Sequence, residues 1–546
     1  MLGHRGGGRA RRRRGRLGRL ASTRQQPSST DPRPIQLVRT RSRAAITTFT
    51  ANAINVLIVG AQGVLLVPLY LNAVGPHLYG AWLASSEVLV WLQAMDLGIP
   101  NLMIQRIASA YGGNDRRRAA DWFAAGILVL ALVSVMIGLA GVAVSFVLPT
   151  WIGAAPDESA VLSACFLVGT VATCVTIFAN GFVGLSRAIQ NTSLLSATLI
   201  ASAVVGLLTS LMLILAGFGL WAIALGLVAR AGVGLGGALL FGINAWRTDL
   251  RAPFRIDRGI VTELLTASPI TALGGISYAV MSQSEIVLVA ALVRPELAVV
   301  YALTRRAADL GRSLVDMIGF ATYGGVAHLI SSSDRPSARI TYARILGLHL
   351  SCSIAVASAY LAVNRSLLEV WIGPSLAGGI GLIVAMSIQS IVLGHSYLIN
   401  LLYRATGRVI EGSVALVVEA LVRIPLLGVL LLAIGLPGLP MAATATALAT
   451  AVLIQHRTVR ELDTENPRAP KAALFVWFVR ALLLGLAAVA ALTIFVPRWP
   501  YVLIAGIVIT VGGCVAMLGI DPLLRLPLRS AMRQFLQIVT FARWQT

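Results

Sequence analysis

Lysine is almost missing from this 546-residue chain, with Lys471 standing alone against forty-three arginines. Acidic residues are scarce too, 22 in all, and charged residues make up only 12% of the chain. That is half of the ~25% usual in soluble domains and too little to keep a chain of this size in water. The four cysteines, Cys165, Cys174, Cys352 and Cys514, lie in apolar runs without paired spacing, which excludes a disulfide framework and a cysteine metal site. The six histidines are dispersed, and there is no H-E-x-x-H, nucleophile elbow or Walker sequence. No catalytic residue, metal ligand or cofactor motif is therefore assigned. The Gly232, Gly234, Gly237 triplet has the dinucleotide spacing but no preceding strand, and reads as helix packing.

What fills the space is apolar: 57% of residues, gathered into runs long enough to cross a bilayer. The fold class expected is all-α, a polytopic membrane protein with about 14 transmembrane helices. The spans fall near 46–73, 78–108, 120–149, 158–184, 192–217, 219–244, 260–291, 296–329, 342–364, 377–403, 409–434, 438–457, 473–496 and 499–520. The net charge of +22 resembles that of a nucleic-acid binder, but its placement follows topology. Residues 1–45 hold thirteen Arg and one Asp. Short loops on one side carry the other clusters, while the opposite side has only Arg294, Arg365 and Arg498. By the positive-inside rule both termini are cytoplasmic, and no nucleic-acid partner is expected. The Arg-, Ala- and Gly-rich composition suggests a GC-rich bacterial genome, and the location expected is the bacterial cytoplasmic (inner) membrane.

A shift of 219 residues aligns Pro76 with Pro295, Trp82 with Tyr301, Asp115-Arg116 with Asp334-Arg335 and Thr47 with Thr266. This internal repeat divides the chain. A disordered Arg-rich arm (1–45) precedes an N-lobe (46–244, spans one to six), a basic cytoplasmic linker (245–259) and a C-lobe (260–458, spans seven to twelve). Spans thirteen and fourteen (459–520) and an amphipathic cytoplasmic tail on membrane lipid (521–546) complete it. Two repeats with a site between them are a recurring transporter plan.

One stretch breaks the apolar rule. Ala302–Phe320 carries Arg305, Arg306, Asp309, Arg312 and Asp316. Positions 305, 309, 312 and 316 share one helical face. Each charge costs roughly 2.5–3.5 kcal/mol at a bilayer centre, so the stripe needs partners or a watery cavity. Three guanidiniums against two carboxylates suit a multivalent anion such as phosphate. Further intramembrane carboxylates are Glu87, Asp96 beside Gly98 and Pro100, and Glu285. Glu419 and Arg423, four apart, read as a structural ion pair.

The segment Gly75-Pro-His-Leu-Tyr79-Gly80-Ala-Trp82, followed by Asp96-Leu-Gly98, Arg106-Ile-Ala108 and Gly113-Asn-Asp115, resembles the first-repeat signature of polysaccharide-biosynthesis (O-antigen type) flippases. These belong to the multidrug/oligosaccharidyl-lipid/polysaccharide exporter superfamily. The resemblance implies two six-helix lobes, alternating access and translocation of lipid-pyrophosphate-linked oligosaccharide. It also implies that basic residues on central helices hold the pyrophosphate; Arg305, Arg306 and Arg312 are the matching residue types. Glu87, Asp96, Glu285, Asp309 and Asp316 are then coupling or gating candidates, one of them carrying H⁺ or Na⁺. A polysaccharide polymerase and glycosyltransferases are the implied partners. The Arg-rich arm is not part of the family pattern. A rival, an ion-coupled multidrug or small-molecule antiporter on the same fold, would want an acidic, aromatic cavity. A membrane-embedded glycosyl polymerase would want long exterior loops, which are missing here.

Overall fold

The computed structural model describes residues 33–461 and 499–520, except 252, 254, 267–268 and 332–334, with side chains from residue 50 onward at most positions. Helices account for nearly all of it, and there is no strand among the described residues. In chain order they are α1 (Arg33–Ala94), α2 (Ile99–Gly112), α3 (Arg116–Ile152), α4 (Ser159–Ala188), α5 (Ser193–Leu215), α6 (Trp221–Ala245), α7 (Arg258–Thr266), α8 (Pro269–Leu292), α9 (Pro295–Ser331), α10 (Arg335–Ile372), α11 (Ile380–Ala405), α12 (Val409–Ile434), α13 (Gly438–Glu461) and α14 (Trp499–Ile520).

Ten helical stretches among the described residues are long and apolar enough to span a bilayer, which makes the chain an integral membrane protein. Side chains such as Leu57, Phe146, Leu421 and Leu432 stand exposed on the outer surface, where lipid would cover them. Small residues set the closest packing. A Cβ on Gly226 of α6 would fall 1.9 Å from the Ser210 hydroxyl of α5, so the two helices pack backbone to backbone.

α9 is not among the ten, but its 37 residues reach about 55 Å at 1.5 Å per residue. It runs against α1, α8, α10 and α11 and crosses with them. α1 bends at Gly75 (φ 76°, ψ 165°), which separates residues 33–74 from 76–94 and lets Pro76 open the second helix.

Three boundaries differ from the sequence expectations. α1 begins at Arg33, inside the stretch expected to be a disordered arm, because 35–74 contains no internal break before Pro68. The expected seventh span, 260–291, is divided into α7 and α8, with Pro269 opening the second. The second span is interrupted at Leu97 (φ 56°) and Gly98 (φ 67°), which separate α1 from α2. The rest of the arm (1–32), the thirteenth span (473–496) and the tail (521–546) lie outside the described residues.

The 219-residue offset recurs in the helices. It carries Arg116 onto Arg335 and Ile152 to within one residue of Ile372, the ends of α3 and α10. Even a side-chain bond repeats: the Ser85 hydroxyl donates to the Ala81 carbonyl at 2.7 Å, and Thr304 donates to Val300 at 2.6 Å.

Candidate functional site

The α9 stripe is held together from within the helix first, as the four- and three-residue spacing requires. Arg305 Nε donates to Asp309 Oδ2 at 2.6 Å; Arg312 Nη2 lies 3.5 Å from Asp309 Oδ1, and its Nη1 lies 3.9 Å from Asp316 Oδ2. Asp309, with over a third of its side chain exposed, is the shared acceptor between two cations.

Neighbouring helices then take up the remaining bonding capacity of Arg305. Its Nη1 donates to Glu285 Oε2 of α8 at 3.0 Å and to the Ser282 carbonyl at 3.3 Å, and Nη2 donates to Gln283 Oε1 at 3.2 Å. Glu285 is itself saturated. The Tyr301 hydroxyl donates to the same Oε2 at 2.8 Å, and Gln389 Nε2 of α11 donates to Oε1 at 2.6 Å. With Arg305 12% exposed and Glu285 4%, this is a buried, fully bonded ion pair joining α8, α9 and α11. Breaking such a pair leaves a bare charge and costs about 3–5 kcal/mol. In this structure Arg305 is bonded to four acceptors.

Farther along α9, Asp316 Oδ1 meets His349 Nε2 of α10 at 3.3 Å, and the other ring nitrogen of His349 meets the Ser353 hydroxyl at 3.3 Å. His349 is fully buried, with the His395 ring 6.1 Å away. Arg312 also borders a small cavity of about 30 Å³ lined in part by Tyr278, Tyr397, Glu419 and Arg423, room for about one water.

Arg306 faces the other way. Its guanidinium lies against Gly63 of α1, where a Cβ would fall 2.0 Å from Nη2. It makes no ion pair or hydrogen bond among the described residues. Glu87, on the second segment of α1, stands within electrostatic reach of Arg305, Asp309, Glu285 and Arg306 and likewise has no bonded partner among the described residues. The two helices cross close by: a Cβ on Gly80 would sit 1.9 Å from the Pro295 carbonyl and 3.2 Å from Val299. Seven of the eight residues singled out from the sequence thus gather around this crossing and along α9. Their charge balance differs from the stripe's own, since three guanidiniums meet four carboxylates.

Asp96 is not joined to them. Its Oδ1 accepts from the Gly98 amide at 2.9 Å and caps the corner before α2. Glu419 and Arg423 do form a buried pair, and Arg423 also donates to Thr446 of α13 at 2.9 Å. Arg106 pairs with Glu263 of α7 and stacks 5.5 Å over Trp122 of α3. Sequence reasoning missed Gly63, Gln283, Tyr301 and Gln389. Gln389 left one signal, an amide midway along an apolar span; Gly63 left none beyond being a glycine in a helix.

No protein-family model matches the chain, and no curated protein matches it by sequence. Solved structures do match. The lipid II flippase MurJ in an inward closed conformation superposes with a TM-score of 0.61 at 12% identity, over 87% of this chain and 98% of that one. An inward-facing multidrug resistance MATE family transporter of the MOP superfamily gives 0.59 at 14% identity, over 77% and 100%. A point mutant of the Vibrio cholerae MATE transporter VcmN gives 0.56 at 15% identity, over 77% and 98%. This is the MATE–MurJ fold. The three matched structures are transporters and a flippase, not enzymes. The MATE–MurJ fold accounts for the long helices and for the absence of strands among the described residues; at such low identity it does not assign a cargo.

Proposed function

We propose that the chain is a flippase that moves lipid-pyrophosphate-linked oligosaccharide across a bacterial cytoplasmic membrane by alternating access. Residues 46–244 and 260–458 act as the two lobes, with the basic linker 245–259 between them on the cytoplasmic side. The observation that carries the reading is Arg306: a guanidinium inside the membrane region, at the crossing of α1 and α9, with no bonded acceptor among the described residues. A phosphate offers such a group the bidentate acceptor it lacks. Arg312, paired with Asp309 and Asp316 only at 3.5 and 3.9 Å, is the second cation that a phosphate would draw to itself. The likeness to MurJ, a lipid II flippase, supports a lipid-linked cargo.

The space beside Arg312 is about 30 Å³, far short of a saccharide, so the helices must part to admit cargo. As the lobes rock, the lipid chain stays in the bilayer while the headgroup crosses along α9. A cavity equally favourable to cargo in both states gives no direction, so a proton, Na⁺, the membrane potential or consumption by a polymerase supplies the bias. Asp309, Asp316, Glu285 and Glu87 hold the charge balance when cargo is absent.

A second reading is favoured by one observation, the four carboxylates around three guanidiniums: an ion-coupled antiporter of cationic small molecules. Proteoliposomes separate the two. Translocation of a fluorescent lipid-pyrophosphate-linked sugar should fall at least tenfold in Arg306→Ala and in Arg312→Ala at normal expression. Unchanged flipping in both variants, together with export of a cationic dye, would replace the flippase by the antiporter.

A further inference from the structure

We infer that Glu87 is a built-in counter-ion that competes with an anionic headgroup for Arg306, taking the guanidinium in one setting of the helices and yielding it when a phosphate-bearing ligand binds. The inference rests on the anion-binding reading of α9 and adds a residue on the opposite half of the molecule to it.

Elimination within the cluster carries the argument. Glu285 is taken by Arg305, Tyr301 and Gln389; Asp309 is taken by Arg305 and Arg312; Asp316 is taken by His349 and Arg312. Arg305 is bonded to four acceptors. Two charged groups of the cluster remain uncommitted among the described residues, one of each sign: Glu87 and Arg306. Four charges act on Glu87, namely Arg305, Asp309, Glu285 and Arg306. Arg305, the stronger of the two attractions, already spends its donors on Asp309, Glu285, Gln283 and the Ser282 carbonyl, so Arg306 is the cation of the four charges with no bonded acceptor among the described residues. Two unpaired opposite charges in a membrane interior gain by meeting, because each alone carries a desolvation cost.

The repeat explains why they oppose each other. Residue 87 shifted by 219 is residue 306, so Glu87 and Arg306 occupy equivalent positions on equivalent helices. Those helices cross where Gly80 meets Val299, which are also equivalent under the same shift. Positions related in this way face each other around the crossing. The repeat has placed a carboxylate on one helix and a guanidinium on the other. In the present structure the guanidinium leans onto Gly63.

A carboxylate that competes for Arg306 weakens anion binding, so removing it has a direction that a structural role would not give. Binding of inorganic pyrophosphate to the purified full-length protein, followed by calorimetry with thermal unfolding in parallel, reads this. Glu87→Gln should bind pyrophosphate about tenfold tighter than the unaltered protein, and Arg306→Gln at least tenfold weaker. The double variant should match Arg306→Gln alone, because Glu87 has nothing left to compete for. A gain that survives in the Arg306→Gln background, or no gain in a Glu87→Gln protein that melts normally, overturns the inference. Should Glu87→Gln not fold, Glu87→Asp replaces it: a shorter carboxylate holds Arg306 less well, and unchanged affinity overturns the inference equally. Pyrophosphate affinity unaffected by Arg306→Gln and Arg312→Gln, with tetraphenylphosphonium bound and then lost in Glu87→Gln, overturns the anion site itself.

Discussion

Residues 76–112 and helix α9 stand 219 residues apart at equivalent places, yet they are built differently. The first stretch breaks at Leu97 and Gly98 and carries Glu87, Asp96 and Arg106; the second is one unbroken helix with five charges between 305 and 316. Both begin at a proline and share the hydroxyl-to-carbonyl bond of Ser85 and Thr304. Past that point their neighbours differ as well. Leu66, the equivalent of Glu285, is an apolar core residue at 1% exposure, whereas Glu285 is a saturated acceptor. A common scaffold is thus broken in one half and continuous and more heavily charged in the other. The difference lies in the partners: Arg305 and Glu285 are bonded across α8, α9 and α11, whereas Glu87 in the first half has no bonded partner among the described residues.

The largest effect should come from separating charge from partner. Glu285→Ala strands the Arg305 guanidinium and the Tyr301 and Gln389 donors in a buried place, and should cost about 3–5 kcal/mol. Thermal unfolding in detergent would show it as a large drop in melting temperature or as lost yield. Leu66→Ala, the equivalent change in the first half, should cost about 2–5 kcal/mol through a cavity. Glu285→Gln distinguishes the two causes, since it keeps the volume and returns only part of the loss. Equal stability of Glu285→Ala and the unaltered protein would remove the scaffold role given to this pair.

The next effect lies in function rather than stability. Arg306→Ala removes a group with no bonded partner among the described residues, so its unfolding should move by no more than about 1 kcal/mol, within the usual range for surface-like changes. Flipping should nevertheless fall at least tenfold. Arg305→Ala should do the reverse in emphasis, losing stability first. If both variants lose stability alike, the contrast between scaffold and free cation fails.

A third test uses Gly63. Valine there would push the Arg306 guanidinium out of its seat, because a Cβ already reaches within 2.0 Å of it, and flipping should fall severalfold. Gly60→Ala on the same face is the control, with Leu310 3.8 Å away at ordinary contact distance, and should leave flipping unchanged. Equal rates in Gly63→Val and Gly60→Ala would show that the seat does not matter.

The one-face stripe and the Glu419–Arg423 pair were legible because they are local: spacing of three and four along one helix decides them. Helix bounds were legible to within a few residues at places such as α9, expected at 296–329 and found at Pro295–Ser331, but not at α10, expected at 342–364 and found at Arg335–Ile372. The charge balance was not. Reading α9 alone gives three guanidiniums and two carboxylates, an excess of positive charge; α8 and the other half of the molecule supply Glu285 and Glu87 and reverse it. Those contacts join residues 20 or more positions apart, and no periodicity records them. Asp96 was open to two readings from its place beside Gly98 and Pro100, capping of exposed amides or coupling; its oxygen accepts from the Gly98 amide, a local bond that the break itself signals.

The smallest expected effect is at the corner itself, and it tests whether that break is a strained hinge. Leu97 sits at φ 56°, in a region costing a non-glycine residue about 1–2 kcal/mol. Glycine would remove that cost but lose about 0.5–1 kcal/mol of its own in chain entropy. Leu97→Gly should therefore stabilise by about 1 kcal/mol or less, seen as a small rise in melting temperature. Asp96→Ala removes a side-chain cap and should destabilise by about 1 kcal/mol. Neither touches the charge cluster, so flipping should change less than in Gly63→Val. At the positions equivalent to Leu97 and Gly98, α9 has Asp316 and Met317 and continues as helix through them. A glycine placed at Met317 should cost α9 about 1 kcal/mol, the ordinary helix-interior penalty, and should not create a corner. If it did, the difference between the two halves would lie in a single residue rather than in the packing around each helix.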